Sequence, residues 1–202
     1  MNWSSATNWT GGTPGPGFNA SFASAGATTN LVTNNIVSAN VTVQGLFYNT
    51  NNSGYHTTWI QDGVTLTVTN GTTGGATAAL QIGGTTGGDN VFNKPVTNTI
   101  TGANGTLLVS GNPIGSGLTN NLNFQIRQNQ SSAIPNLTTL DMSGLGTMIA
   151  MVGKFYVAQG GSGANQTNVS GCVYLARTNI ITLAVQRSRV MCFKKDEQQL
   201  VK

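Results

Sequence analysis

Val64-Thr65-Leu66-Thr67-Val68 decides the fold class of this chain. Apolar and hydroxyl side chains alternate without a break, and only a strand sends alternate residues to opposite faces. The same period of two recurs at Val41 and Val43, Leu80 and Ile82, Leu107 and Val109, and Leu122, Phe124 and Ile126. It continues at Leu140 and Met142, Val173 and Leu175, and Ile181, Leu183 and Val185. Between these runs stand turn signals such as Asn70-Gly71, Gly83-Gly84, Asn104-Gly105, Gly111-Asn112-Pro113 and Gly160-Gly161. Helical periodicity is hard to find. Each strand therefore shows one apolar face and one Thr/Asn/Ser/Gln face, the mark of a sheet with one side on a core and the other wet.

The strand centres near residues 66, 81, 100, 108, 124, 141, 156, 174 and 182 mostly lie farther apart than the ~8–12 residues of hairpin meanders. That spacing suits an all-β, right-handed parallel β-helix with coils of about twenty residues. Roughly nine such coils at the ~4.8 Å strand spacing would form a rod of about 40 Å. A β-sandwich is the alternative. Val64, Leu66, Val68, Leu107, Val109, Phe124, Ile126, Met142, Leu175 and Leu183 are expected to point inward. Stacked turn Asn side chains are expected to hydrogen-bond along the axis, and they also serve turns that need φ > 0.

Composition narrows the function. Charged residues make up 7% of the chain, against ~25% in ordinary globular proteins. The net charge of +4 arises mostly after Gln186, where Arg187, Arg189, Lys194, Lys195 and Lys202 outweigh Asp196 and Glu197. Lys94, Arg127, Lys154 and Arg177 are the bases of the body, too few and too scattered for a nucleic-acid-binding stripe. Residues 1–185 thus read as one solenoid segment, opening with a cap-like stretch over 1–22. Residues 186–202 read as a basic tail outside the repeat, either a genuine C-terminal segment or a frameshifted or spliced end. The tail is expected to be poorly ordered and dispensable.

Asp62, Asp89 and Asp141 each stand alone in sequence, whereas polysaccharide cleavage needs paired carboxylates or an acidic calcium site with a base. His56 is the single histidine, so no His-based metal cluster or nucleophile–His dyad is expected. The chain is read as non-enzymatic, with no catalytic residue, metal or cofactor. A polysaccharide lyase or glycosidase on a β-helix is the competing reading. Cys172 and Cys192 have no metal spacing, and Cys172 is expected to be a buried, inert thiol. No apolar run approaches the ~20 residues of a membrane span. Met1 leads straight into Asn2-Trp3-Ser4-Ser5 without a signal peptide, so sequence upstream is expected. Thr65, Thr67 and Thr69, then Thr97, Thr99 and Thr101, are reminiscent of ice-binding arrays, but the pattern lapses after two occurrences and ice binding is not expected.

Trp3, Asn8-Trp9-Thr10-Gly11-Gly12-Thr13-Pro14 and the following Phe18 and Phe22 form the most specific string. It resembles the opening of bacterial proteins that carry autotransporter-associated β-strand repeats. Phe47-Tyr48-Asn49-Thr50-Asn51, Gln61-Asp62-Gly63-Val64-Thr65-Leu66, Leu140-Asp141-Met142-Ser143-Gly144-Leu145 and Val173-Tyr174-Leu175-Ala176-Arg177 extend the resemblance over most of residues 1–185. It implies an exported right-handed β-helix at the cell exterior and no known catalytic residues. The export, sorting and translocator segments of that family are not seen here. The function expected is a structural or adhesive segment of a secreted or cell-surface protein, in contact with polysaccharide or with other cells; a passive spacer is the plainer alternative. Trp3, Trp9, Tyr55 and Trp59 are the candidate ligand-binding residues, because aromatic faces suit pyranose rings. Against this, Trp3 and Trp9 are expected to plug the first coil, and Trp59, beside Ile60, to pack. Oligomeric state is left open.

Overall fold

The computed structural model describes residues 1–22, 26–48, 55–69, 78–83, 96–110, 122–127, 136–159 and 169–183. They are nearly all strand, with one 3-10 turn at Ala6–Asn8. The strands are β1 (Asn19–Phe22), β2 (Asn35–Val37), β3 (Val41–Val43), β4 (Gly45–Tyr48), β5 (Thr57–Ile60), β6 (Thr65–Val68) and β7 (Ala78–Ile82). They continue as β8 (Val96–Ser110), β9 (Asn123–Arg127), β10 (Asn136–Asp141), β11 (Leu145–Val152), β12 (Lys154–Gln159), β13 (Val169–Tyr174) and β14 (Thr178–Leu183).

Every ladder between these strands is parallel. Sheet one runs β1-β4-β7-β9-β12. The remaining strands share β8, whose two halves pair with different neighbours. Its N-terminal half lies between β5 and β10, which continue to β2 and β13; these strands are sheet two. Its C-terminal half lies between β6 and β11, which continue to β3 and β14; these are sheet three. Chain order therefore visits sheet two, sheet three and sheet one in turn, again and again. The antiparallel ladders of a Greek-key sandwich are not found among the described strands; the one antiparallel pairing is an isolated bridge between Ala27 and Tyr55.

The expected twenty-residue coil does not hold. The first returns, Asn19 to Gly45, Asn35 to Thr58 and Val41 to Leu66, come closest to it, but Thr65 pairs with Thr106 and Thr106 with Thr147, so later positions in sheet three return only after a much longer stretch. The spacing of strand centres measures the step from one sheet to the next, not the return to the same sheet. Among the described residues sheet one is five strands deep, a stack of about 20 Å at the ~4.8 Å spacing against the expected rod of about 40 Å.

Inward residues form continuous rows. Leu46, Leu80, Phe124 and Phe155 follow one another across sheet one, and the rings of Phe124 and Phe155 stack with centroids 4.3 Å apart. Val41, Leu66, Leu107 and Met148 form a row of sheet three, and Val43, Val68, Val109 and Ala150 the next. In-register rows let apolar side chains on successive strands bury each other, which is the main stabilisation of such a stack. Leu66, Val68, Leu107, Val109, Phe124, Ile126 and Met142 are buried as expected; Val64 and Leu175 are half-buried against the same core. Leu183 departs, at 40% exposed, because it pairs with Val152 on one side and lies in the last described strand of its sheet.

Two expectations about faces need correction. Sheet one is not wet along its whole outer side: in the outer row Ser21, Phe47, Gln81, Gln125 and Tyr156, the three middle residues are buried, Ser21 is exposed and Tyr156 is half-buried. Gln81 meets that burial by donating Nε2–H to the Gly83 carbonyl at 2.9 Å. Cys172 is half-buried on the outer side of sheet two, beside Thr139 and Thr97, rather than sealed in the core. Cys192 and the tail lie outside the described residues. Some described Asn side chains reach along the stack to backbone of the next strand: Asn34 Oδ1 accepts from Thr57 N–H and Asn40 Oδ1 from Thr65 N–H; Asn179 instead brackets nearby Ala176.

Candidate ligand-facing surface

The expected aromatic candidates separate into a plug and a surface. Met1–Trp3 lie against β2: Asn2 bridges Ile36 in parallel, and Trp3 N–H donates to the Ile36 carbonyl at 2.9 Å. This hands Trp3 into the open end of the stack, where it is 2% exposed. Trp9 meets it edge-on at 5.3 Å, and both rings contact Phe22. Phe22 stacks on Tyr48 at 5.1 Å and touches His56 at 5.4 Å. Trp3 therefore offers no ring face to a ligand. His56 is buried in the same cluster, which sets it among rings rather than at a surface. Tyr55 is half-buried and holds the bridge to Ala27.

Trp59 differs. It stands between the inward Thr58 and Ile60, both fully buried, and is itself 37% exposed on the outer face of sheet two. Its row runs Ile36, Trp59, Thr101. The adjacent row runs Thr57, Thr99, Asp141, Tyr174. Tyr174 is 41% exposed, and the sequence reading missed it. The signal was present, since Tyr174 has the opposite parity to the inward Val173, but nothing in sequence says that β5 and β13 share a face. Asp141 lies between the two rings and accepts Ser143 N–H at 2.9 Å and Ser143 Oγ–H at 2.7 Å through Oδ1.

Sheet three presents a different outer surface. Thr65, Thr106, Thr147 and Thr178 form one row, and Thr42, Thr67, Leu108, Ile149 and Ile180 the next. No described side chain in these rows is charged or aromatic. The two Thr strings of the sequence reading do not stack on each other, because Thr65 and Thr67 belong to sheet three and Thr97 and Thr99 to sheet two.

Carboxylates do not converge among the described residues. Asp62 lies in the turn after β5 and Asp141 at the end of β10, with β8 between those strands in the stack; Asp89 is outside the described residues. No group of three or more His, Cys, Asp or Glu side chains suited to a metal stands together among the described residues. Among them, too, no helix is long and apolar enough to cross a membrane. No protein-family model, curated protein or solved structure matches the chain.

Proposed function

We propose that the chain is a right-handed parallel β-solenoid segment with a structural or adhesive role at a bacterial cell surface, in contact with polysaccharide. The observation that supports this reading is the set of parallel ladders on all three sheets, with outer rows on sheets two and three that are mostly uncharged hydroxyl and aliphatic side chains. Such a surface suits neutral ligands held by many weak contacts better than acid–base chemistry, which needs positioned ionisable groups. A right-handed sense follows from the handedness rule for parallel crossovers. The resemblance of residues 1–185 to autotransporter-associated repeat proteins supports an exported location, as does the scarcity of charge.

A polysaccharide panel tests this function. Binding without release of sugar is the expected result. Reducing ends or unsaturated sugars that vanish in Asp62→Asn, Asp89→Asn or Asp141→Asn would replace it with the enzyme reading. Neither binding nor turnover would leave a passive spacer.

A further inference from the structure

We infer that the outer face of sheet two is a binding track for a neutral polysaccharide chain lying along the stack axis. This rests on the adhesive reading above and gives it a site. Among the described residues Trp59 and Tyr174 are the two exposed rings of that face, and they stand on β5 and β13, with β8 and β10 between. Three strand steps place them about 14 Å apart along the stack, and the shift of one row places them about 7 Å apart across it. A short run of pyranose rings spans that distance, and its two ends would lie against the indole and phenol faces.

The groups between the rings suit hydroxyl recognition. Thr99, Thr101 and Ser143 carry hydroxyls that donate and accept, and Asp141 is a strong acceptor. Ser143 occupies only Oδ1 of that carboxylate, so Oδ2 is left for a sugar hydroxyl. The hydrogen bonds from Ser143 also hold the carboxylate in place, which lowers the entropy lost when a ligand binds. The arrangement resembles small-ligand sites in kind: large apolar surfaces for contact area and a few polar groups for orientation.

Charge selects the ligand class. Asp141 is the one side chain charged at neutral pH among the described residues of these outer rows. A polyanionic chain would bring like charges against it with no cation on the face to offset them, whereas a neutral glucan meets no such penalty. The face of sheet three has hydroxyls and aliphatic groups but no described ring, and so lacks the stacking surfaces that sugar rings need.

Affinity electrophoresis of the full chain through gels containing hydroxyethylcellulose, or polygalacturonate as the acidic arm, tests the track. Retardation by the neutral glucan is expected to depend on the two rings, whereas any retardation by the acidic polymer, to which the basic residues after Gln186 contribute, is expected to be the same in the ring variants as in the parent. Trp59→Ala and Tyr174→Ala should each weaken retardation about tenfold. Trp59→Phe and Tyr174→Phe keep a ring face and should keep most of the binding, and Thr147→Val on sheet three should bind as the parent does. Circular dichroism confirms that each variant is folded. Glucan binding that survives both alanine substitutions would overturn the track and leave the adhesive reading intact. A parent chain retarded by no polysaccharide at all would overturn both.

Discussion

The hydroxyls of Tyr48 and Thr58 share a 2.6 Å hydrogen bond inside the stack, tying sheet one to sheet two where neither residue has contact with water. Replacing Tyr48 by Phe leaves the Thr58 hydroxyl without this partner at no gain in packing. A loss of about 1–2 kcal/mol is expected, read as a lower urea midpoint. Burial also pushes the Tyr48 phenol well above its ordinary range, and the Thr58 hydrogen bond offsets part of that rise. The folded chain therefore keeps a proton that the unfolded chain loses above pH ~10. Tyr48 thus favours folding in full below that pH, and this contribution falls away as pH rises further. Urea midpoints measured from pH 8 to 11 should decline for the parent and decline less for Tyr48→Phe.

Asn98 has the opposite character. It is fully buried among inward residues of sheet two, and neither Oδ1 nor Nδ2 has a hydrogen-bond partner. A buried amide without partners costs free energy that an apolar side chain of similar shape avoids. Asn98→Leu is expected to raise stability by about 1 kcal/mol, read as a higher Tm. A lower Tm would show that the amide meets a partner such as buried water.

Gly102 lets β8 pass from sheet two to sheet three. Its φ is 138°, and a Cβ there would run into the carbonyl oxygen of Ile60 on the adjacent strand. Gly102→Ala combines backbone strain with a clash against main chain that has nowhere to go. About 3 kcal/mol or more should be lost, and thermal melts should show it. Ala at Gly63, also at positive φ but in open space, should cost only about 1 kcal/mol.

The plug formed by Trp3 gives a prediction about one end of the stack. Trp3→Ala removes a buried indole that contacts Trp9 and Phe22. About 3–5 kcal/mol of stability should disappear. Proteolysis should then begin near the N-terminus, because the first strands lose their cover before the middle of the stack does.

Strand content and facing were legible because period two survives wherever one side of a strand is buried: Leu66, Val68, Leu107 and Val109 alternate in sequence and lie inward in space. Sheet membership was not legible. The sequence distance from Thr65 to Thr106 includes long connections whose length carries no signal about which sheet comes next. The coil length differs from the expectation for that reason, and the sequence does not reveal that Trp59 and Tyr174 share one face. Gln81 and Gln125 looked like a wet face because polarity alone does not reveal that an outer row is covered. Cys172 looked buried because a half-buried outward residue and a core residue share the same strand-like surroundings.

The parallel in-register stack is tested most directly by paired nitroxide labels on the row Thr65, Thr106, Thr147 and Thr178, in a chain with Cys172 and Cys192 replaced by Ser. Dipolar broadening in frozen solution should be strongest for Thr106 with Thr147, weaker for Thr65 with Thr147, and weakest for Thr65 with Thr178. These pairs lie about 5, 10 and 14 Å apart at the backbone. Broadening of Thr65 with Thr178 equal to or greater than that of Thr106 with Thr147 would contradict the stack.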